Sequence, residues 1–427
     1  MKSLKVKFIA GAIIIAAFFG VLIYLSLGNA FSPEKKIDGI ENVGVSFEDF
    51  KIPTDVRVVG IGEGSHGNRE FQVAKKEVLQ KVVNEGNGHS ISFEISVAEG
   101  AIINDAIHET ETDLTELVGT LSYPLYDTEE IADLLTWMRE YNQNVPYEDS
   151  IMFYGVDMQG SYISIEYIQG LCESGTSLFT EEESEKIMSV DPNAEDHTAE
   201  RDFFEGLSER LLASDDIESK QLGVVVKAIV QGIDAPEYGD VENSYGTHRD
   251  MCMAENLKTF SEIEEARGYT QVIITAHNGH VMKGSQMLGG EPDKSPTMGE
   301  NINKLFEGSY YCIGTEFYNG TVNIHTAGTY DDEYVRADHD FCSEDPLAYQ
   351  AQYFQDKKYC LDFDSVTEEN SKVYKVLHSK IFTSLVGEGY NLSNDLEKGE
   401  RFRCDVTKRY DAMIYYFDAT PIDPIHY

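Results

Sequence analysis

The sequence predicts an α/β fold: a largely parallel central sheet flanked by helices, with an inserted helical subdomain, preceded by one N-terminal transmembrane helix. Short apolar, β-branched runs alternate with helical patterns, an order typical of parallel α/β sheets. A stretch of more than 100 residues between the third and fourth predicted strands contains helical patterns only. Residues 8–27 carry no charge, and such a run matches the roughly 20 residues that span a bilayer.

The N-terminal segment predicts export of the rest of the chain. Lys2, Lys5 and Lys7 precede the apolar run, which places the N-terminus in the cytoplasm under the positive-inside rule. The alternative is a signal peptide that is cleaved near Ala30. The predicted division is a basic cytoplasmic tail at 1–7, a signal-anchor at 8–27, a linker at 31–50 and a large domain at 51–427, with the helical insertion at about 160–265. We expect a single-pass membrane protein with this domain outside, or a secreted protein after cleavage.

The composition argues against a nucleic-acid partner. The chain has 34 Lys and Arg against 75 Asp and Glu, a net charge of −41, so phosphate backbones would be repelled. Hydrophobic residues make up 41% of the chain, which is too many for a disordered protein. None of the six cysteines forms a C-x-x-C pair, so no zinc site or redox motif is indicated.

Seven runs predict strands, with helical patterns between them. The strand runs cover residues 56–61, 90–95, 151–156, 271–276, 310–315, 322–325 and 412–417. After the first strand, Phe71, Ala74 and Val78 share one helical face. In the predicted insertion, helical patterns cover residues 163–171, 203–212, 222–230 and 251–260.

Reactive side chains follow the ends of the first four predicted strands. They are Glu63 and His66 after the first, Glu94 at the end of the second, Asp157 after the third, and His277 and His280 after the fourth. Sites in open α/β sheets form at the carboxyl ends of the strands. We therefore expect these side chains to converge at one edge of the sheet.

Three other chemistries fit parts of this pattern. Gly62-x-Gly64-x-x-Gly67 matches a dinucleotide-binding fingerprint, but Glu63 would bring a negative charge toward the pyrophosphate. Ser65 lacks the G-x-S-x-G pattern of a nucleophilic serine, because Glu63 occupies the place of the first glycine. The histidines and Glu94 could bind zinc, although H-E-x-x-H is absent.

Seven short motifs occur in order along the chain. They are GEGSHGNREF at 62–71, FE at 93–94, WMREYN at 137–142, YGVDMQ at 154–159, RDxxMAxN at 249–256, AHNGH at 276–280 and YDAMI at 410–414. Together they resemble the motifs of the erythromycin esterase family over roughly residues 55–420. The resemblance implies a hydrolase that opens macrolide lactones without a metal or other cofactor, on an α/β core with helical additions.

The resemblance also implies the roles of individual residues. The catalytic set maps onto Glu63, His66, Glu94, Arg249, His277 and His280, and Lys75 is the nearest match for a basic residue in the first helix. We expect Lys75, Asp157 and Arg69 to bind the substrate. In the resulting hypothesis, His66 is the general base that activates water. Glu63 or Glu94 orients the His66 ring. His277, His280 and Arg249 face the oxyanion that develops on the ester carbonyl.

The expected function is an exported, membrane-tethered hydrolase of a small-molecule carboxylic ester, with a macrolide lactone as one candidate and a response to antibiotic as its context. Two alternatives stay open. One is a metal-dependent hydrolase that uses the same histidines and glutamates. The other is a non-catalytic surface protein that binds haem, a metal or a glycan.

Overall fold

The structure is a computed structural model, which describes residues 34–85, 88–236, 244–288, 291–326, 335–369, 371–390 and 399–426. The predicted tail and anchor at 1–27, and the alternative cleavage site near Ala30, lie outside the described residues. Within the described ranges, no helix is both long and apolar enough to cross a membrane. The anchor therefore stays a prediction from the sequence.

The described strands form one large sheet and two small ones. The strands are β1 (Val58–Glu63), β2 (Ser90–Ser96), β3 (Met152–Asp157), β4 (Val272–His277), β5 (Ser285–Leu288), β6 (Glu291–Pro296), β7 (Tyr310–Thr326), β8 (Arg336–Cys342), β9 (Lys358–Asp362), β10 (Ile381–Ser384), β11 (Gly389–Tyr390), β12 (Arg401–Cys404) and β13 (Ala412–Ala419). The large sheet has the order β3-β2-β4-β1-β7-β13-β9, with β8 and β11 paired to β7. Its pairs are parallel except for β9 on β13 and β8 on β7. The largely parallel α/β fold is thus confirmed.

Helices cover both faces of this sheet. They are α1 (Arg69–Glu85), α2 (Val97–His108), α3 (Leu114–Val118), α4 (Glu129–Asn142), α5 (Ser161–Ser174), α6 (Glu181–Met188), α7 (Arg201–Leu212), α8 (Ile217–Ile233), α9 (Tyr245–Arg267), α10 (Asn278–Val281), α11 (Met298–Leu305) and α12 (Lys372–Leu377). Successive residues of a strand pack into the apolar clusters on opposite faces of the sheet, as Val58 and Val59 do. Every residue of β1 to β4 is therefore buried, as expected for strands covered on both faces.

The helices between β3 and β4 share a core with the sheet. Ile165 of α5, Phe204 of α7 and Leu222 of α8 belong to the same apolar cluster as Met152 of β3. Helix α9 packs against β3, and its early turns carry Arg249. This region therefore supplies a charged side chain to the sheet edge as well as covering the sheet face.

One strand prediction is wrong in extent. Residues 310–315 and 322–325 belong to the single strand β7, which continues through residues 316–321 between them. Glu316 lies fully buried there and accepts hydrogen bonds from the backbone nitrogens of Phe317 and Ser384. The sequence pattern indicates a break at this carboxylate because two of the residues that satisfy it, Thr383 and Ser384, are distant in the chain.

Strand order brings the predicted reactive residues together. From β2 the chain proceeds outward to β3, whereas from its neighbour β4 it proceeds to β7 on the other side. The carboxyl ends of β2 and β4 therefore lie at a topological switch point, where α/β sheets bind their ligands. In the register of β1 with β4, Glu63 lies beside His277.

Candidate active site

Glu94, at the end of β2, lies at the centre of the site. Its Oε1 accepts a hydrogen bond from Arg249 Nη2 at 2.7 Å and lies 3.2 Å from His280 Nε2. Its Oε2 accepts the backbone N–H of His277 at 3.0 Å. Burial alone would raise the pKa of Glu94, but His280 and Arg249 hold that pKa well below its usual range. Glu94 is therefore a fixed anion between the ends of β4 and α9.

Arg249 is held by two carboxylates from two strands. Its Nε and Nη2 donate to Asp157 Oδ2 at 2.8 and 2.6 Å, while Nη2 also reaches Glu94. Asp157 is fully buried and Arg249 is largely buried. The desolvated guanidinium thus joins the ends of β2 and β3. Hydrogen bonds between charged groups are stronger than those between neutral groups.

His280, in the short helix α10, lies between two acids. Its Nδ1 is 2.6 Å from Asp250 Oδ1, and its Nε2 faces Glu94. Burial opposes the charged form, but the Asp250 and Glu94 carboxylates raise the pKa of His280 to about 9. His280 is therefore an imidazolium at neutral pH.

His66 and His277 have the opposite character. Their rings lie 4.7 Å apart between centroids. Burial lowers the pKa of His66 to about 4 against the pull of Glu94, and burial together with His66 and His280 lowers that of His277 to about 3. Both rings are neutral at neutral pH, so the site combines two neutral histidines with one cationic one.

Two ring nitrogens of this pair have no hydrogen-bond partner among the described residues. They are the buried Nδ1 of His66 and Nε2 of His277. His277 Nδ1 accepts the backbone N–H of Gly279 at 3.3 Å, so the neutral ring carries its proton on Nε2. Buried polar atoms in native proteins are nearly always satisfied, and a water or substrate oxygen would satisfy these.

The loop that carries His66 is fixed by its own backbone. The His66 N–H donates to the carbonyl oxygen of Val386 at 3.3 Å, and the Gly67 N–H donates to Ser65 Oγ at 2.9 Å. Ser65 is fully buried. Its hydroxyl thus supports the turn, which agrees with the sequence argument against a nucleophilic serine.

A buried ion pair lies beneath the histidines. Lys75 Nζ, from α1, is 3.0 Å from Glu63 Oε1, and both side chains are almost wholly inaccessible. Gln72 bridges the pair, donating to Glu63 Oε2 at 3.2 Å and accepting from Lys75 Nζ at 2.5 Å. The pair faces the rings of Phe93 and Tyr126 on its other side.

An open cleft lies above these groups. The residues that line it are His66, Glu94, Tyr123, Leu125, Tyr126, Gln159, Arg249, His280 and Glu388. The lining combines charged side chains with the aromatic rings of Tyr123 and Tyr126 and the amide of Gln159. Such a cleft, with few convergent polar groups and strongly shifted pKa values, is the default place for catalysis.

Comparison with known proteins shows the family of this chain. The family model for erythromycin esterase matches residues 85–420. The chain belongs to the erythromycin esterase family. Erythromycin esterase type II from Escherichia coli is 25% identical over 332 residues, which cover 67% of this chain and 74% of that protein.

Solved structures share the fold. A Bacillus cereus protein superposes with a TM-score of 0.67 at 20% identity, over 91% of this chain and 98% of that one. The erythromycin esterase EreC, solved as a mutant in its open conformation, gives a TM-score of 0.59 at 14% identity, over 87% and 93%. Family membership supports a hydrolase of the family's kind with a small-molecule substrate.

The structure brings together the six predicted catalytic residues of this erythromycin esterase family member, but it does not place the three predicted substrate-binding residues in the cleft. Arg69 is more than half exposed and pairs with Glu130 at 2.6 Å, because it lies in the first turn of α1 facing α4. Lys75 is buried under Glu63, and Asp157 is buried under Arg249. Lys75 and Asp157 therefore position charged neighbours, and Arg69 lies outside the cleft.

Sequence reasoning missed Tyr123 and Gln159, which line the cleft, and one buried acid. Tyr123 donates its hydroxyl hydrogen to Gln159 Oε1 at 2.6 Å, and Gln159 Nε2 donates to the Tyr245 hydroxyl at 3.0 Å. Asp250, the partner of His280, follows Arg249 directly in a quoted motif. That adjacency was the only sequence signal for Asp250. For Tyr123 there was no signal, because it lies in a connecting segment without periodicity.

The described residues contain no group of three or more His, Cys, Asp and Glu side chains placed to hold a metal ion. The acidic side chains of the site instead form ion pairs with its cationic side chains. Glu94 and Asp157 contact Arg249, Asp250 contacts His280, and Glu63 contacts Lys75.

Proposed function

We propose that this protein hydrolyses a small-molecule carboxylic ester by direct attack of water, with His66 as the general base and without a metal. The observation that carries the proposal is the unequal pairing of the site's histidines. His280 contacts two carboxylates, whereas no carboxylate among the described residues forms an ion pair with the His66 ring. When the environments of two titratable groups push their pKa values apart, the difference indicates which group acts as acid and which as base.

His66 is suited to accept a proton. It lines the cleft, and a ring nitrogen of its neutral imidazole can accept the proton of a water bound there. The ring is neutral at neutral pH, and the nearby Glu94 stabilises the cation that forms when His66 takes the proton. A positioned base of this kind contributes about 10²–10⁴-fold to the rate.

His277 supplies a donor to the oxyanion. Its Nε2 proton has no acceptor among the described residues, and it lies beside His66 in the same buried pair. The cations of Arg249 and His280 add positive potential at this point, because they are desolvated and fixed. Removal of one donor of this kind typically costs about 10²–10³ in kcat.

The substrate and location are part of the proposal. The E. coli relative is named an erythromycin esterase, so a macrolide lactone is the first substrate to test. The uncharged run at 8–27 supports export and tethering at the cell membrane, with secretion as the result if the chain is cleaved. Cell fractionation followed by protease treatment of intact cells tests the location.

Incubation of the purified full chain with erythromycin and a panel of simple esters, with and without chelator, tests the reaction. Mass spectrometry reports the addition of one water. We expect chelator-resistant hydrolysis that His66→Ala abolishes and that His378→Ala, at an exposed histidine after α12, leaves unchanged. Hydrolysis that chelator removes and added metal restores would instead support the metal-dependent alternative. Ligand uptake without turnover would support the binding protein.

A further inference from the structure

Asp250 is a fully buried acid whose two oxygens contact three different elements. Its Oδ1 is 2.6 Å from His280 Nδ1 in α10. Its Oδ2 accepts the side-chain N–H of Gln286 in β5 at 3.0 Å and the backbone N–H of Met298 at the start of α11 at 2.9 Å. The proposed reaction uses none of these contacts directly, and Asp250 does not line the cleft.

We propose that Asp250 is a positioning residue that keeps His280 doubly protonated and directs its Nε2 proton at Glu94 and the cleft. Its catalytic meaning rests on the proposed function, whereas the protonation state does not. The geometry fixes the direction of the ring: Nε2 lies 3.2 Å from Glu94 Oε1 and 3.3 Å from Arg249 Nη1, while Nδ1 faces the buried acid on α9. Without this contact the ring could adopt either neutral tautomer, and one of these has no Nε2 proton.

The charged and titratable groups around His280 show why one carboxylate is insufficient. Asp250 and Glu94 favour the imidazolium, whereas Arg249, from α9 like Asp250, opposes it. His66, which lines the cleft, and His277 are disfavoured as cations by burial and by His280. Glu94 is shared with Arg249 at 2.7 Å, so its effect on His280 is divided. Asp250 has no cation other than His280 within ion-pair distance among the described residues, and it therefore decides the charge of the ring.

The second oxygen of Asp250 provides a control. Gln286→Ala removes a hydrogen bond to Oδ2 and leaves the contact of Oδ1 with His280 intact. If Asp250 only tied β5 and α11 to α9, loss of either contact would alter stability and leave the protonation of His280 unchanged. If Asp250 sets the charge of His280, only Asp250→Asn alters that protonation.

Nuclear magnetic resonance of the full chain, with ¹⁵N-labelled histidine, measures this directly. The His280 signals are assigned by their loss in His280→Gln. We expect the wild-type ring to be doubly protonated at pH 8, and its titration midpoint to fall by at least about one pH unit in Asp250→Asn, a tenfold change in proton affinity. Gln286→Ala should leave the midpoint in place. Equal midpoints in wild type and Asp250→Asn, or an equal shift in Gln286→Ala, would overturn the proposal.

Two further outcomes separate this proposal from the proposed function. If Asp250→Asn does not fold, the wild-type spectrum alone decides, since a singly protonated His280 at pH 8 refutes the assignment. If the chain hydrolyses an ester, Asp250→Asn should lower kcat more than it changes KM and move the alkaline limb of the kcat profile to lower pH. If no ester is hydrolysed, the titration of His280 still tests Asp250.

Discussion

The buried pair of Lys75 and Glu63 offers a sharp test of the structure that needs no substrate. Lys75→Met keeps most of the apolar stem and removes the ammonium group. Glu63 would then remain an almost fully buried carboxylate, with the Gln72 amide at 3.2 Å as its side-chain hydrogen-bond donor. Removing one partner of a buried ion pair costs about 3–5 kcal/mol, because the other charge is left uncompensated. We expect a loss of that size in the free energy of unfolding.

A neighbouring lysine supplies the matched control. Lys76 pairs with Asp133 at 2.6 Å, but the Asp133 side chain is 67% exposed, and surface pairs contribute about 0–1 kcal/mol. Lys76→Met should therefore change stability little. The double variant Lys75→Met with Glu63→Gln should lose about 0.5–3 kcal/mol less than the sum of its single changes, since directly contacting residues are coupled.

Urea unfolding followed by the fluorescence of Trp137, the one tryptophan of the chain, measures wild type, the three single variants Lys75→Met, Lys76→Met and Glu63→Gln, and the double variant. The midpoint and slope give the free energy of unfolding for each. A Lys75→Met variant no less stable than Lys76→Met would refute the buried pair, and so would strictly additive effects in the double variant. Either result would return Lys75 to the cleft as a candidate for substrate binding.

Three further predictions concern the site and its support. The kcat/KM profile should fall below about pH 4, where His66 becomes protonated, and above about pH 9, where His280 loses its charge; an acid limb near 6.5 would contradict a desolvated base. Arg69→Ala should change kcat and KM by no more than about twofold, as surface substitutions do, and a tenfold rise in KM would place Arg69 in the site after all. Gly100→Ala should lower the free energy of unfolding by about 1–3 kcal/mol, because its Cβ would lie 1.9 Å from the backbone of β3. Gly170→Ala, in open space on α5, should raise that free energy by about 0.5–1 kcal/mol, and thermal unfolding of the two variants compares them.

The ends of the strands could be predicted from sequence because the local pattern is strong there. The first four strands begin and end within two residues of their predicted bounds, since doubly covered strands appear as continuous apolar runs. Residues directly after such runs must lie at the carboxyl edge of a parallel sheet. That argument placed Glu63, His66, Glu94 and His277 together without any knowledge of strand order.

Exposure and ion pairing could not be predicted in the same way. Arg69 and Lys75 lie in the same helix, six residues apart, yet one is exposed and the other is fully buried. Helical periodicity separates their faces but does not say which residue of α4 or β1 each face meets. The full length of β7 could not be predicted for a related reason, because Thr383 and Ser384, which donate to the buried Glu316, are distant from it in the chain.

Local features of the sequence suffice for the fold class, the family and the edge of the sheet that carries the reactive groups. These follow from local apolar periodicity and from short motifs, which act over a few residues. Which histidine is neutral and which is cationic depends on the folded structure, because burial and carboxylates a few ångströms away in space set the charge of each ring. Glu94 and Arg249 are 155 residues apart in the chain and 2.7 Å apart in the site. Electrostatic energy falls with distance and rises with burial, and neither quantity can be calculated before the chain is folded.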